Sequence, residues 1–170
     1  MNPVRLTSEK PSDGPVVDAL IDRAFGPGRY AKAAERLREG RDPRWELSVV
    51  ARAGEAIIGC ARLYPIAIGP AQALLLGPFA VEDSHRGQGL GANLIRHACA
   101  AAQEAGHGLI LLVGDEAFFA ALGFSGAPAR RIAMPGPVDP QRVLVRALKA
   151  GAADDLGGPV RAAAQLGDIA

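Results

Sequence analysis

One passage, residues 73–114, restricts the folds open to this chain more than any other. Ala73 to Val81 is rich in strand formers, and HRGQGLGANL, residues 85–94, then places three glycines at alternating positions. Leu90, Leu94, Ile95, Ala98, Ala101, Ala102 and Ala105 follow on one helical face, with Gly106 placed to cap the C-terminus. GLILLVG, residues 108–114, returns to an apolar run of strand length. Strand 73–81, helix 90–105 and strand 109–113 thus form one βαβ unit, whose strands are parallel and whose crossover is right-handed. Gly77-Pro78 interrupts the first of these strands. Proline lacks a ladder donor, so a bulge or a local parting of strands is expected there.

The flanking sequence is of a different kind. LSVVARA (47–53) and IIGCARLYPIAI (57–68) meet at Ala53-Gly54-Glu55, a link short enough for a hairpin, so this part of the sheet is antiparallel. Before it lie a short strand at 4–7 and a helix opened by Pro15. That helix carries Val16, Val17, Leu20, Ile21 and Ala24 on one face and closes near Gly26-Pro27-Gly28. Good helix formers from Tyr30 to Glu39, ended by Gly40, predict a second helix. Downstream, Asp115 caps a short helix from Glu116 to Leu122, and strands at 130–134 and 142–148 finish the sheet. The chain reads as α/β (α+β): one domain over residues 1–150, then a loosely attached Ala/Gly/Asp-rich tail, 151–170.

Composition removes several function classes. With 19 basic and 18 acidic residues the net charge is +1, which gives no general footprint for nucleic acid or an anionic membrane. Arg5, Glu9 and Lys10 interrupt any secretory core, and no apolar run nears the roughly 18 residues of a membrane span. A cytoplasmic location is expected. Cys60 and Cys99 stand alone, without disulfide or metal-ligand spacing, so they are read as small buried hydrophobes and no metal site is expected.

Two kinds of phosphate loop compete for residues 85–94. Gly87 to Ala92 fits the dinucleotide pattern G-x-G-x-x-G/A, and Asp115 and Glu116 follow the next strand, where a ribose-binding carboxylate belongs. Against an NAD site, the five residues from Glu82 to Arg86 separate Val81 from the first glycine, too long a link for that tight turn. That fold also needs several strand–helix repeats, and only one clear crossover is present. Arg86-Gly87-Gln88-Gly89-Leu90-Gly91 fits instead the pattern Q/R-x-x-G-x-G/A. Together with LLLGPFAV, LLVGDEAFFAALGF and the order of elements over residues 4–148, it resembles the GNAT superfamily of N-acetyltransferases, in particular a bacterial branch.

The resemblance implies a mixed, mostly antiparallel sheet of about six or seven strands with about four helices, its fourth and fifth strands splayed. It implies acetyl-CoA, or CoA, as cofactor. The pyrophosphate would lie on Arg86, Gly87, Gln88, Gly89, Leu90, Gly91 and Ala92, the pantetheine on the main chain of Phe79, Ala80 and Val81, and Phe118 and Phe119 would flank the acyl group. A helix N-terminus preceded by glycines suits that anion physically, because its unpaired N–H groups and partial positive charge face the ligand. The implied reaction is direct attack by a primary amine, borne on a small molecule or a peptide, on the thioester carbonyl. The family's general-acid tyrosine falls at Phe119, which has no hydroxyl. Glu82 and Ser125 are the remaining candidates for proton transfer, and an acyl-CoA-binding protein with weak or no transferase activity is the alternative reading. The acceptor pocket is expected from the first two helices and the last strands, and a homodimer is compatible with all of this.

Overall fold

The computed structural model describes residues 2–163. Its strands are β1 (Val4–Ser8), β2 (Val49–Ala53), β3 (Ala56–Ile68), β4 (Ala71–Val81), β5 (Leu109–Val113), β6 (Ile132–Ala133), β7 (Val143–Ala147) and β8 (Gly158–Ala162). The α-helices are α1 (Gly14–Phe25), α2 (Leu90–Glu104) and the single turn α3 (Glu116–Phe119). The sheet order is β1-β2-β3-β4-β5-β7, with β8 attached to β3 and β6 attached to β8. Among the described residues, only β4–β5 and β6–β8 pair in parallel.

Each helix covers the face its apolar spacing dictates. Val17, Leu20 and Ile21 of α1 pack with Val50, Cys60 and Ala80 on one face of the sheet. Leu94, Ile95, Ala98, Cys99 and Ala102 of α2 pack on the other, with Val49, Ala51, Ile58 and Ala61. Large aliphatic side chains buried in this way stabilise the domain by about 1.5–3 kcal/mol each. Gly59 lets α2 come close: a Cβ there would lie 2.9 Å from Leu94 Cδ1 and 3.3 Å from the Ala80 carbonyl.

A buried polar cluster ties β3 to α1. Arg62 donates to both oxygens of Glu9, at 3.1 and 2.7 Å, and to Asp18 at 2.7 Å. Burial pushes the Glu9 carboxyl upward, an effect opposed by its hydrogen bonds from Arg62. Cys60 and Cys99 are free thiols, both buried.

Three expectations from the sequence are corrected. Tyr30 to Glu39 is not an α-helix but two 3-10 turns, Pro27–Ala31 and Ala33–Leu37, separated by an extended Lys32. Good helix formers without an apolar stripe have no face to bury, and ion pairs of Arg29 with Asp22 and of Arg38 with Glu35 hold the segment instead. The strand expected at 130–134 shrinks to two residues and pairs with β8, so β7 alone completes the edge beside β5. Residues 151–163 do not hang free: Val160 and Leu156 are buried, and β8 runs antiparallel to the end of β3. Their apolar residues are few but well placed, and the remainder of the expected tail, 164–170, lies outside the described residues.

Candidate functional site

The proline in β4 does what its chemistry requires. Between Ala61 and Leu63, β3 advances two residues while β4 advances from Phe79 to Leu76, a three-residue step, so Gly77-Pro78 forms a bulge. Gly77 has φ +140°, a conformation that favours glycine. On the other side β4 stays paired to β5 only at Leu74 and Leu75, opposite Ile110 and Leu111. Beyond those two pairs the strands separate, and a cleft of about 550 Å³ opens between them.

The backbone of β4 past the bulge is half used. Glu82 donates its N–H to Ile58 of β3 at 2.8 Å, and the Ala80 carbonyl also faces β3. Because strand groups alternate, the N–H and C=O of Phe79 and Val81 point the other way, toward the opening. The Val81 carbonyl takes a hydrogen bond from Arg86 Nε at 3.2 Å. Of the three strand residues singled out from the sequence, Phe79 and Val81 therefore offer main-chain groups to the opening, whereas those of Ala80 are turned to β3.

The glycine loop leads from this strand to α2. Gly87 and Gly89 both have φ +78°, and a Cβ on either would meet nothing within 4 Å, so both border open space. Gly91, in the first turn of α2, would place a Cβ 3.7 Å from the Phe79 ring, a normal contact. Gly89 serves as N-cap with no side-chain cap, and the first helical bond, from Asn93 to the Gly89 carbonyl at 3.1 Å, leaves the N–H groups of Leu90, Gly91 and Ala92 facing outward. Gln88 and Arg86 are exposed, and Arg86 pairs with Asp83 at 3.0 Å.

Phe119 is 4% exposed and sits in an aromatic cluster, with ring centroids 5.7 Å from Phe79, 4.9 Å from Phe118 and 5.9 Å from Phe124. It belongs to the core and to the cleft wall at once. Its ring occupies the place where Gly114 lacks a side chain: a Cβ there would lie 2.4 Å from Phe119 Cε2. Phe118 also lines the cleft and is 45% exposed. No spacing in the sequence announces the contact between Gly114 and Phe119, since it depends on how α3 folds back over the end of β5.

The carboxylates near the opening are engaged. Glu82 is ion-paired with Arg23 of α1. Asp115 caps α3 through the Ala117 N–H at 3.1 Å, and Asp139 caps the 3-10 turn Pro140–Arg142 through the Gln141 N–H at 3.0 Å. Ser125 exchanges backbone hydrogen bonds with Val145 and does not line the cleft. Tyr64 is buried, while Tyr30 is exposed and bonded to Asp22 at 3.2 Å. The cleft lining also carries four cations, Arg29, Lys32, Arg38 and Arg142. Sequence reading missed these four because they come from the 3-10 segment and from the approach to β7, far apart in the chain.

A sheet split after two parallel pairs, with a bulged strand running into a glycine loop at a helix N-terminus, is the architecture of a GNAT-type acetyltransferase. The chain belongs to that family. Residues 44–126 match the family model described as an acetyltransferase (GNAT) domain. The chain is 33% identical over 119 residues to the uncharacterized N-acetyltransferase YhbS of Escherichia coli K12, covering 68% of this chain and 70% of that protein. It superposes on the crystal structure of E. coli YhbS in complex with CoA with a TM-score of 0.81, at 26% identity over 96% of this chain and 91% of that one. A GNAT family acetyltransferase from Brucella melitensis, in complex with acetyl-CoA, gives a TM-score of 0.61 at 25% identity, covering 85% of this chain and 96% of that one.

Proposed function

We propose that this chain uses acetyl-CoA to acetylate a primary amine by direct attack. The observation that carries this reading is the pair of outward-facing main-chain residues, Phe79 and Val81, lying between the bulge and an uncapped helix N-terminus. An extended amide-bearing arm can pair with them as an added strand, and a pyrophosphate can sit on the N–H groups of Gly87 to Ala92. E. coli YhbS, similar over nearly the whole chain, was crystallised with CoA. The cofactor's role is to supply an acetyl group as a thioester, and every remaining requirement falls on this chain.

Pro78 has no N–H, so the Phe79 N–H is the first donor past the bulge and the natural partner for the thioester oxygen. With acetyl-CoA bound, attack by the neutral amine would form the C–N bond as the C–S bond breaks, and the proton lost by the nitrogen would pass through solvent to the departing thiolate. Phe119 cannot give that proton. A thiol of pKa about 8.5 is nevertheless a tolerable leaving group, and lacking a general acid costs about 10²–10⁴ in rate rather than abolishing transfer. Glu82, held by Arg23, and Ser125, outside the cleft, are poorly placed for proton transfer. The cations on the lining would assist differently, since positive charge near the amine favours its neutral, reactive form.

The test pairs binding with turnover. Acetyl-CoA should bind, and CoA should be released with at least one member of a primary-amine panel. Gly89→Glu should abolish acetyl-CoA binding and leave the circular dichroism spectrum intact, since a carboxylate placed at open φ +78° backbone repels the phosphates at a strain of only about 1 kcal/mol. Unchanged affinity in that variant removes the loop from the mechanism. Acetyl-CoA binding without turnover of any amine favours the binding-protein alternative suggested by Phe119.

A further inference from the structure

We infer, on the basis of that transferase reading, that the acceptor amine also carries an oxyanion, carboxylate or phosphate, held by Lys32 and Arg142 at the cleft rim. The cleft's cations differ in how they are compensated. Arg29 is paired with Asp22 at 2.9 Å and Arg38 with Glu35 at 2.9 Å. Lys32 and Arg142 form no ion pair with any described carboxylate, and both are exposed on the lining. Lys32 is instead held over the Phe25 ring, 5.2 Å from its centroid. Arg142 is anchored at the tip of β5, where its carbonyl accepts the Gly114 N–H at 2.8 Å. The carboxylates on the lining, Asp115 and Asp139, are turned to backbone N–H groups of the turns they cap.

These cations do not belong to the phosphate loop, because none of residues 82–92 lines the cleft. They come from the 3-10 segment and from the turn Pro140–Arg142 just before β7. The same lining carries apolar side chains, among them Phe25, Leu76, Pro78, Phe118 and Val138. A ligand that fits has three parts: an amine at the bulge, an apolar body, and an anion at the rim. Polycationic amines and lysine-rich peptides are disfavoured, since their second positive charge meets Lys32 and Arg142. Arg142 supplies a planar fork suited to a carboxylate or phosphate, and Lys32 a point charge.

The experiment compares kcat/KM for matched acceptors: amino acids against the amines lacking their carboxylate, and phosphorylated amino alcohols against the free alcohols. The expected result is a preference of about tenfold or more for one anionic class, largely lost in Lys32→Gln/Arg142→Gln with acetyl-CoA affinity retained. Equal efficiency across the pairs, or a preference that survives both substitutions, overturns the assignment. Should no amine turn over, the transferase reading fails separately. Calorimetry on CoA-saturated protein, with N-acetyl amino acids and their uncharged amides, then decides the anion site. Tighter binding of the carboxylates, abolished in the double variant, sustains it, and equal binding of acids and amides overturns it.

Discussion

Replacing Gly114 by alanine tests the packing that fixes the cleft wall. The new Cβ would lie 2.4 Å from Phe119 Cε2, 2.8 Å from its Cδ2 and 3.1 Å from Leu112 Cδ1, all inside van der Waals contact. The ring has little room to withdraw, because Phe79, Phe118 and Phe124 surround it with centroids 4.9 to 5.9 Å away. Overpacking of this kind costs about 1–3 kcal/mol, while removing a glycine from the unfolded chain returns about 0.4–1 kcal/mol. A net loss of about 1–2 kcal/mol is expected, measured as a lower urea midpoint at constant slope. In a Phe119→Leu background the clashing ring atoms are absent, so the same alanine should cost nearly nothing. The double-mutant cycle should therefore show a coupling of about 1–2 kcal/mol. Additive effects, or a Gly114→Ala protein as stable as the parent, would refute the argument that this glycine exists to seat the ring. Because the ring lines the cleft, the variant should also bind acetyl-CoA more weakly.

Three further outcomes are expected. Phe119→Tyr should raise turnover or leave it unaltered, and a large loss in a folded protein would mean the ring's apolar edge is itself required. Asp13 is partly buried, which raises its pKa, but bonds from Arg52 at 2.6 Å and the Lys10 N–H at 2.9 Å outweigh this and hold it below its ordinary 3.8. Its contribution is thus present above that value and lost as pH falls through the folded pKa, so Asp13→Asn should flatten the fall in stability below about pH 5, and identical acid profiles would contradict this. Burial pushes the Cys60 thiol up to about 12, so at pH 8 it should react with thiol reagents at least about a thousandfold more slowly than in unfolded protein; rapid labelling of the native state would contradict its burial.

How much of this was legible in the sequence depends on the range of the signal. The crossover from β4 through α2 to β5, the hairpin at Gly54 and the cap at Asp115 rest on residues within a turn or two of each other, and the structure has them as read. The site's frame was legible for the same reason: Gly77-Pro78 and the glycine loop are local chemistry. Residues 30–39 misled because helix propensity was counted without a face to bury. The strand at 158–162 was hidden because its partner, Ile66 to Ile68, lies some ninety residues earlier, beyond any local pattern. The cationic rim was hidden likewise, its members joined only by the folded sheet.

If the cofactor binds as proposed, the hydrogen bond from Arg86 to the Val81 carbonyl would make its capture partly an exchange of contacts rather than an addition. On the proposed reading, a pantetheine amide pairing with Val81 would share that carbonyl with the guanidinium or displace it, and a guanidinium turning toward the phosphates would also give up its ion pair with Asp83. Part of the strand's polar edge is thereby kept satisfied until the ligand arrives. Affinity would then report a difference between two sets of contacts, and removing Arg86 would delete a competitor for the strand together with the proposed phosphate partner. An Arg86 variant with only modestly weakened binding would be the ordinary result of that double role.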